Sequence, residues 1–175
     1  MNNNKLLENQ LMRYEIRPIT EEDIEPFRQA VGSVAREKLY LAFLDTPSIE
    51  MATDFIQTNI KESWPQVIAI ADDTLIGWCD ITGLNRHACN HVGRLGIGII
   101  KEYRGQGIGK ELIKSALSLA KKKGLTRIEL TVREDNLKAI ALYQNIGFVV
   151  EGKLINSLRV DGEYKNQIAM ALLFG

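Results

Sequence analysis

The segment LGIGIIKEYRGQGIGKELI, residues 95–113, decides the fold of this chain. An apolar strand leads into a tight turn and then directly into a helix, with glycines repeated in the strand and the turn: Gly96, Gly98, Gly105, Gly107 and Gly109. Glycine weakens regular structure, so its repetition needs a local reason. In the turn, missing side chains let backbone N–H groups approach a ligand, and the helix adds unpaired N–H groups and a positive dipole end. The segment therefore predicts a phosphate site.

Two common nucleotide-binding patterns do not fit the turn. A P-loop needs a hydroxyl residue after Gly-Lys to ligate magnesium, but Gly109 and Lys110 are followed by Glu111. The dinucleotide pattern G-x-G-x-x-G also fails, because its sixth position counted from Gly105 is Lys110. Backbone donors, with charge from Arg104 and Lys110, therefore indicate a phosphate in another kind of ligand.

The strand ahead of the turn gives a second indication. Strict alternation places its apolar residues on one face and Gly96 and Gly98 on the other. We expect the glycine face to leave backbone exposed beside a cleft, or to mark a bulge. Free strand amides suit an extended, amide-bearing ligand such as pantetheine, the arm of coenzyme A, which ends in pyrophosphate. The alternative is an ordinary strand–turn–helix with packing glycines.

Composition limits the classes of protein to consider. The chain has 175 residues, of which 45% are hydrophobic and 25% charged, as is usual for one globular domain. The formal net charge is zero, which disfavours a nucleic-acid-binding protein, although residues 101–127 hold eight basic and two acidic side chains. No apolar run approaches the length of a membrane span, and Cys79 and Cys89 alone do not indicate a disulfide framework. We expect a soluble cytoplasmic protein without nucleic-acid or membrane partners.

Further from the turn, the sequence predicts one mixed domain. Residues 1–13 are polar and asparagine-rich and are expected to form a flexible arm ahead of a domain at 14–175. The predicted element order is β-α-α-β-β-β-α-β-α-β-β. The first helix is expected to start after Thr20 and to reach about Phe43, with a break or bend near Gly32.

Two further boundaries come from capping and turn residues. Ser48 is expected to cap the second helix. The dipeptide formed by Asp161 and Gly162 predicts a hairpin between the last two strands. These paired strands present an edge that would suit a homodimer.

The residues of the turn carry a family resemblance. RGQGIG, residues 104–109, matches the R/Q-x-x-G-x-G/A signature of the GNAT superfamily, the Gcn5-related N-acetyltransferases, and the chain resembles their bacterial small-molecule branch. A downstream segment also resembles the family, through Asn136, Ala139, Leu142, Tyr143, Gly147 and Phe148. The resemblance is specific over residues 91–149. It implies an α/β (mixed α+β) single-domain fold, with a central, mostly antiparallel mixed sheet of about seven strands flanked by about four helices.

The resemblance also implies transfer of an acetyl group from acetyl-CoA to an amine. Backbone at Ile97, Gly98 and Ile99 would hold the pantetheine arm and polarise the thioester carbonyl. Asn136 would contact the cofactor, cap a helix, or do both. The pyrophosphate would be held, mainly through backbone, by Arg104, Gly105, Gln106, Gly107, Ile108, Gly109 and Lys110.

The residues that transfer protons are indicated less clearly by the sequence than those that hold the co-substrate. Tyr143 would lie near the sulfur and donate to the departing thiolate; its alternative is an aromatic residue of the core. His91 is the first candidate base because histidine titrates near neutrality, and Asp80 on the neighbouring strand is the second. Each has a structural alternative, and a water chain would need no single base. Trp78 either lines the acceptor pocket or belongs to the core.

Several alternatives concern the ligand. No metal site is expected, since His87, Cys89 and His91 come from one segment and zinc sites draw on more than one. The expected acceptor is a small-molecule amine (polyamine, amino acid or related metabolite), with a protein N-terminus or an aminoglycoside-like drug as alternatives. Residues 20–63 and 83–90 would set its identity. The rival function is a non-catalytic acyl-CoA-binding module, which would not need Tyr143.

Overall fold

The computed structural model describes residues 13–84 and 86–175, which form one mixed α/β unit. The strands are β1 (Glu15–Pro18), β2 (Gln66–Ala71), β3 (Thr74–Gly83), β4 (Val92–Ile99), β5 (Arg127–Arg133), β6 (Val149–Val160) and β7 (Glu163–Leu173). The helices are α1 (Ile24–Ala35), α2 (Ile49–Lys61), α3 (Ile108–Lys122) and α4 (Leu137–Ile146). The seven strands form one sheet in the order β1-β2-β3-β4-β5-β7-β6. The expected fold class is confirmed.

One pair of strands separates partway along its length. All neighbouring strands pair antiparallel except β4 and β5, which are parallel. Their ladder covers only three residue pairs and ends where Arg94 meets Glu129. Beyond this point β4 remains paired with β3, and β5 with β7, so a gap opens between them. We call this gap, between residues 95–99 and 130–133, the fork.

The two faces of the sheet pack into separate cores. On one face, Ile97 and Ile99 of β4 pack against a core that includes α3 and Tyr143 of α4. On the other face, α1 and α2 cover the sheet through a core that contains Phe27 and Trp78. We call these the α3 face and the α1 face. Because side chains alternate along a strand, each residue of the fork belongs to one face or the other.

The first helix ends earlier than the sequence predicts. Helix α1 stops at Ala35, Lys38 then adopts a left-handed φ of 56°, and an irregular connector leads to α2. The predicted end near Phe43 is wrong. The helix also continues through Gly32 without a break. A Cβ on Gly32 would lie 2.1 Å from Thr46 Oγ1, so this glycine lets the connector pack closely on the helix.

Other predicted boundaries are confirmed. Ser48 Oγ accepts a hydrogen bond from Met51 N–H at 3.2 Å, which satisfies a free donor at the start of α2. Asp161 and Gly162 have φ values of 48° and 88° in the turn between β6 and β7, as a two-residue hairpin turn requires. These local signals were sufficient to place both elements.

The ends of the chain add little to this description. The arm predicted for residues 1–13 lies outside the described residues except for Arg13, and the domain limits of 14–175 stay a prediction.

Among the helices in the described ranges, none combines the length and apolar character needed to cross a membrane.

Candidate active site

The turn between β4 and α3 presents a run of free backbone donors. The N–H groups of residues 105–109 donate to no backbone acceptor within the described part of the chain. Gly105 and Gly107 adopt φ values of 77° and 83°, a region that L side chains rarely occupy. A Cβ at either glycine would meet no atom within 4 Å, so the space beside both glycines is open. A row of free N–H groups at a helix start fits an anion such as pyrophosphate.

Arg104 directs its charge away from this open space. Its Nη1 donates to Glu37 Oε2 at 2.9 Å, and its Nε donates to the Ile99 carbonyl at 2.8 Å. The guanidinium also lies 4.6 Å from the centre of the Tyr40 ring. The Arg104 hydrogen bond holds the pKa of the Glu37 carboxyl below its ordinary value. The charge expected from Arg104 at the turn is therefore already neutralised, whereas Lys110 is exposed.

The ladder between β3 and β4 indicates which amides face the fork. Ile100 N–H donates to the Ile76 carbonyl at 2.9 Å, across to the β3 side. Alternate residues of an antiparallel strand bond to the same partner, so Gly98 also directs its N–H to β3. The N–H groups of Ile97 and Ile99 therefore point into the fork. Of the three residues expected to offer backbone donors, Ile97 and Ile99 direct their N–H groups into the fork and Gly98 does not.

The glycine face of β4 is covered by side chains of β3. A Cβ on Gly98 would lie 2.2 Å from the Trp78 ring, and a Cβ on Gly96 would lie 3.1 Å from Asp80 Oδ2. Trp78 and Asp80 are the direct cross-strand partners of these glycines in an unbroken register. The expectations of exposed backbone or a bulge on this face are therefore wrong. Trp78 belongs to the core, with its ring centre 5.6 Å from that of Phe27.

Asp80 places a buried carboxylate beside the fork. It lies over Gly96, two residues beyond the end of the ladder between β4 and β5. The residue is 8% exposed, and burial raises the pKa of Asp80 to about 7. Its carboxylate accepts no hydrogen bond and forms no ion pair within residues 13–84 and 86–175. A carboxylate in this state can take up a proton near neutral pH.

His91 lies away from the fork. It precedes β4 at the end where β4 and β5 are still paired, and its side chain is exposed. Its carbonyl accepts hydrogen bonds from the N–H groups of Thr126 and Arg127 at 3.0 and 3.2 Å. Five residues of extended strand, roughly 17 Å, separate it from Gly96. The structure therefore does not place the first candidate base near the fork.

Tyr143 lies on the α3 face, where its ring meets Phe148 edge-on at 5.9 Å between centres. Burial, with a smaller contribution from Cys79, raises the pKa of Tyr143 above its ordinary value. Its hydroxyl therefore keeps its proton across the physiological pH range and can donate. Asn136 caps α4, since its Oδ1 accepts from Ala139 N–H at 3.3 Å.

A groove that the sequence did not reveal opens at the base of the fork. Its volume is about 340 Å³, and its charged lining residues are Arg94, Arg127, Glu129 and Glu151. Arg94, Arg127 and Glu129 belong to the α1 face, because they alternate with core residues of the α3 face along β4 and β5, and Glu151 of β6 accepts a hydrogen bond from Arg127. The sequence did contain one indication of this groove. Arg94 lies two residues before Gly96 on the same strand, so its side chain is expected on the same face of the sheet as Gly96.

A second, larger cavity lies beside the end of β3, where Thr82 pairs with Arg94 of β4. It measures about 610 Å³ and is lined by Asn59, Trp64, Thr82, Arg86 and His87, among others. It adjoins the predicted acceptor segment at residues 83–90 and includes Thr82, two residues after Asp80 on β3. Within the residues that the structure describes, no three His, Cys, Asp or Glu side chains are grouped so as to hold a metal ion.

Comparison with known proteins agrees with this architecture. A family model described as Acetyltransferase (GNAT) family matches residues 29–148. Spermidine N(1)-acetyltransferase of Escherichia coli K12 is 29% identical over 167 residues, covering 90% of this chain and 84% of that protein. L-amino acid N-acetyltransferase AaaT of the same strain is 30% identical over 107 residues, covering 61% and 66%. A GNAT-family acetyltransferase structure from Streptococcus pneumoniae has a TM-score of 0.86 at 25% identity, covering 93% of this chain and 100% of that one.

The family match covers more than half of the chain and includes β4, the turn and α4. It therefore spans both the free N–H groups of the turn and the strand that borders the fork. The resemblance stated from the sequence is confirmed by these comparisons. The chain belongs to the GNAT family of acetyltransferases and is an acetyl-CoA-dependent N-acetyltransferase.

Proposed function

We propose that this enzyme moves the acetyl group directly from acetyl-CoA to a primary amine of a small molecule, with Asp80 as base and Tyr143 as hydroxyl donor. The observation that carries this proposal is the buried Asp80 carboxylate lying over Gly96 beside the fork. Bound acetyl-CoA supplies the acetyl group as a thioester. The relatives named for spermidine and for L-amino acids support a small amine as acceptor.

Backbone groups would hold the co-substrate. The free N–H groups of residues 105–109 fit the pyrophosphate, and Lys110 adds positive charge. The N–H groups of Ile97 and Ile99 would donate to the pantetheine arm and to the thioester oxygen, where negative charge develops during transfer. Because β3 already fixes this strand, these donors need no rearrangement to act.

Proton transfer is assigned to opposite faces of the sheet. An amine reaches the site largely as ammonium and must lose a proton before it attacks. Asp80, with a pKa raised to about 7, takes that proton on the α1 face. Tyr143 donates to the departing sulfur from the α3 face. The amine therefore enters from the α1 face while the thioester lies towards the α3 face.

Exchange of Tyr143 for Phe tests the proposal with little change in packing. The ring contact with Phe148 is retained, so CoA affinity and the melting temperature should stay unchanged while kcat on an amine panel falls roughly 10- to 100-fold. Exchange of the exposed Tyr164 for Phe is the matched control and should leave kcat unchanged. Unaltered turnover in Tyr143→Phe would remove this residue from the mechanism. Failure of the native protein to acetylate any amine would contradict the proposed function.

We also propose that the protein is located in the cytoplasm and that it forms a homodimer through its last two strands. Several apolar side chains of β6 and β7 are exposed, which supports the second of these: Val149, Val150, Leu154, Ile155 and Leu173. Sedimentation of the purified protein would give its oligomeric state.

A further inference from the structure

The groove at the base of the fork lies beside the reacting centre. Arg94 and Leu95, at the end of the β4–β5 ladder, contribute to its lining. Asp80 lies over the next residue of the same strand, Gly96. Residues two apart on one face of a strand are separated by roughly 7 Å, so Arg94 and Asp80 can contact opposite ends of one small molecule.

The charges of the groove are unequally satisfied. Arg127 donates to Glu129 Oε1 at 2.8 Å and to Glu151 Oε1 at 2.9 Å. Both carboxylates of the groove are therefore paired with the same guanidinium. Arg94 is exposed and forms no ion pair or side-chain hydrogen bond within the described ranges. The Asp80 carboxylate forms no ion pair with Arg94 within the described ranges.

We propose that the acceptor carries a carboxylate, as amino acids and short peptides do, and that Arg94 binds this carboxylate while the amine reaches Asp80. This inference rests on the proposed function and names its substrate class. A guanidinium presents paired donors that match the geometry of a carboxylate. A zwitterion would thus place its anionic end on the free cation and its ammonium beside the buried acid.

The same charges disfavour a polyamine. A polyamine has several ammonium groups and no anion, so it needs free carboxylates along its length. Glu129 and Glu151 do not provide them, since both are paired with Arg127. A polyamine in this groove would also bring one of its ammonium groups near Arg94. The groove therefore favours an acceptor whose amine lies a short distance from a negatively charged group of the same molecule.

Matched substrates test this inference. L-Amino acids, their carboxamides and spermidine should be compared by kcat/KM on the native enzyme and on Arg94→Gln, Arg94→Lys and Arg94→Glu. We expect the native enzyme to prefer the acid over its carboxamide by about tenfold or more. Arg94→Gln should lower kcat/KM for the acid roughly 10- to 100-fold, mainly through KM, and leave the carboxamide unaffected. Arg94→Lys should restore part of the preference, and Arg94→Glu should reverse it.

Arg86→Gln is the control, because Arg86 lines the larger cavity and not the groove at the base of the fork. It should leave the preference for the acid intact. The inference is overturned if Arg86→Gln, and not Arg94→Gln, removes that preference. It is also overturned if the native enzyme acetylates spermidine or carboxamides as well as acids, although the proposed function would then stand. If no member of the panel is acetylated while CoA still binds, both the inference and the proposed function fail.

Discussion

The two sides of the fork use different chemical groups of the protein, backbone on one side and side chains on the other. The proposed co-substrate site consists of backbone: the free N–H groups of residues 105–109 and those of Ile97 and Ile99, which point into the fork. The proposed acceptor site consists of side chains on the α1 face, chiefly Asp80 and Arg94. The first side depends on where side chains are missing, and the second on which side chains are present. One strand, β4, contributes to both.

This difference indicates which properties of the enzyme a substitution on each side would change. Backbone donors recognise a phosphate or an amide whatever residues surround them, provided that glycine permits the required φ. Side chains set charge and acidity, and a single substitution changes either property. We therefore expect substitutions on the α3 face to alter co-substrate affinity and those on the α1 face to alter turnover and acceptor choice.

The largest effect is expected from Asp80→Asn. An amide of the same shape cannot take up a proton, so kcat should fall on the order of 100- to 10,000-fold while CoA affinity is unchanged. In the native enzyme, activity should rise with pH through about 7, because burial raises the pKa of Asp80 to about 7. Steady-state pH profiles measure both. A profile of the native enzyme without an inflection near neutrality would remove Asp80 as the base.

The same substitution should raise stability at alkaline pH. The folded-state pKa lies above the unfolded value of about 3.9, so burying the ionised carboxylate opposes folding. This destabilisation is absent below pH 4, grows as the pH rises from 4 to 7, and is complete above 7. Asp80→Asn should thus gain roughly 2–4 kcal/mol at pH 8 and little at pH 4, measured by urea unfolding. Equal gains at both pH values would contradict the assignment.

The next effect concerns the backbone side. Gly107→Ala places a Cβ at φ 83° in the row of free donors, so the turn must distort and lose hydrogen bonds to the phosphate. CoA affinity measured by calorimetry should fall about 100-fold. Gly124→Ala, at the other end of α3, is the matched control, with φ 90° and equally open surroundings. If both variants bind CoA equally well, the turn is not the phosphate site.

A smaller effect is expected where the two sides meet. A Cβ at Gly96 would lie 3.1 and 3.2 Å from the Asp80 oxygens and would push the carboxylate off β4. Gly96→Ala should lower kcat about tenfold without changing CoA affinity. Gly152→Ala on β6 provides the comparison, since its Cβ would meet no atom within 4 Å and it lies outside the proposed site. Normal turnover in Gly96→Ala would imply that the position of the carboxylate is unimportant.

The smallest effect is expected from Glu37→Gln. This change breaks the half-buried pair that ties Arg104 of the turn to the connector after α1. It should cost about 1–2 kcal/mol of stability and raise the acceptor KM a few-fold. Glu25→Gln removes an exposed pair with Arg28 and should change neither quantity measurably. A large loss of CoA affinity in Glu37→Gln would show that Arg104 acts mainly on the co-substrate.

The glycine turn and the helix that follows it could be predicted from the sequence because their signals are local. The glycines of residues 105–109 lie in one turn, and the turn and α3 follow directly along the chain. The cap at Asn136 and the hairpin at Asp161 are also local signals. Each depends on residues within a few positions, so no knowledge of the folded arrangement was needed.

On the acceptor side, the sequence indicated Asp80 only as the second candidate base and did not indicate Arg94, because their placement depends on register and distant contacts. Asp80 lies over Gly96 only because β3 and β4 pair in one register, and that pairing also directs the N–H of Gly98 away from the fork. Arg104 is neutralised by Glu37, 67 residues earlier in the chain. Helix propensity past Ala35 is likewise overridden by a connector that packs on the helix.

Amide hydrogen exchange by NMR, with and without CoA, tests the central claim most directly. We predict that CoA slows exchange at residues 105–109 and at Ile97 and Ile99, whose N–H groups have no backbone partner among the residues that the structure describes. Gly96 and Gly98, already bonded to β3, should change little. Binding of CoA that leaves the exchange of these fork and turn amides unchanged would contradict the claim that free backbone donors hold the co-substrate.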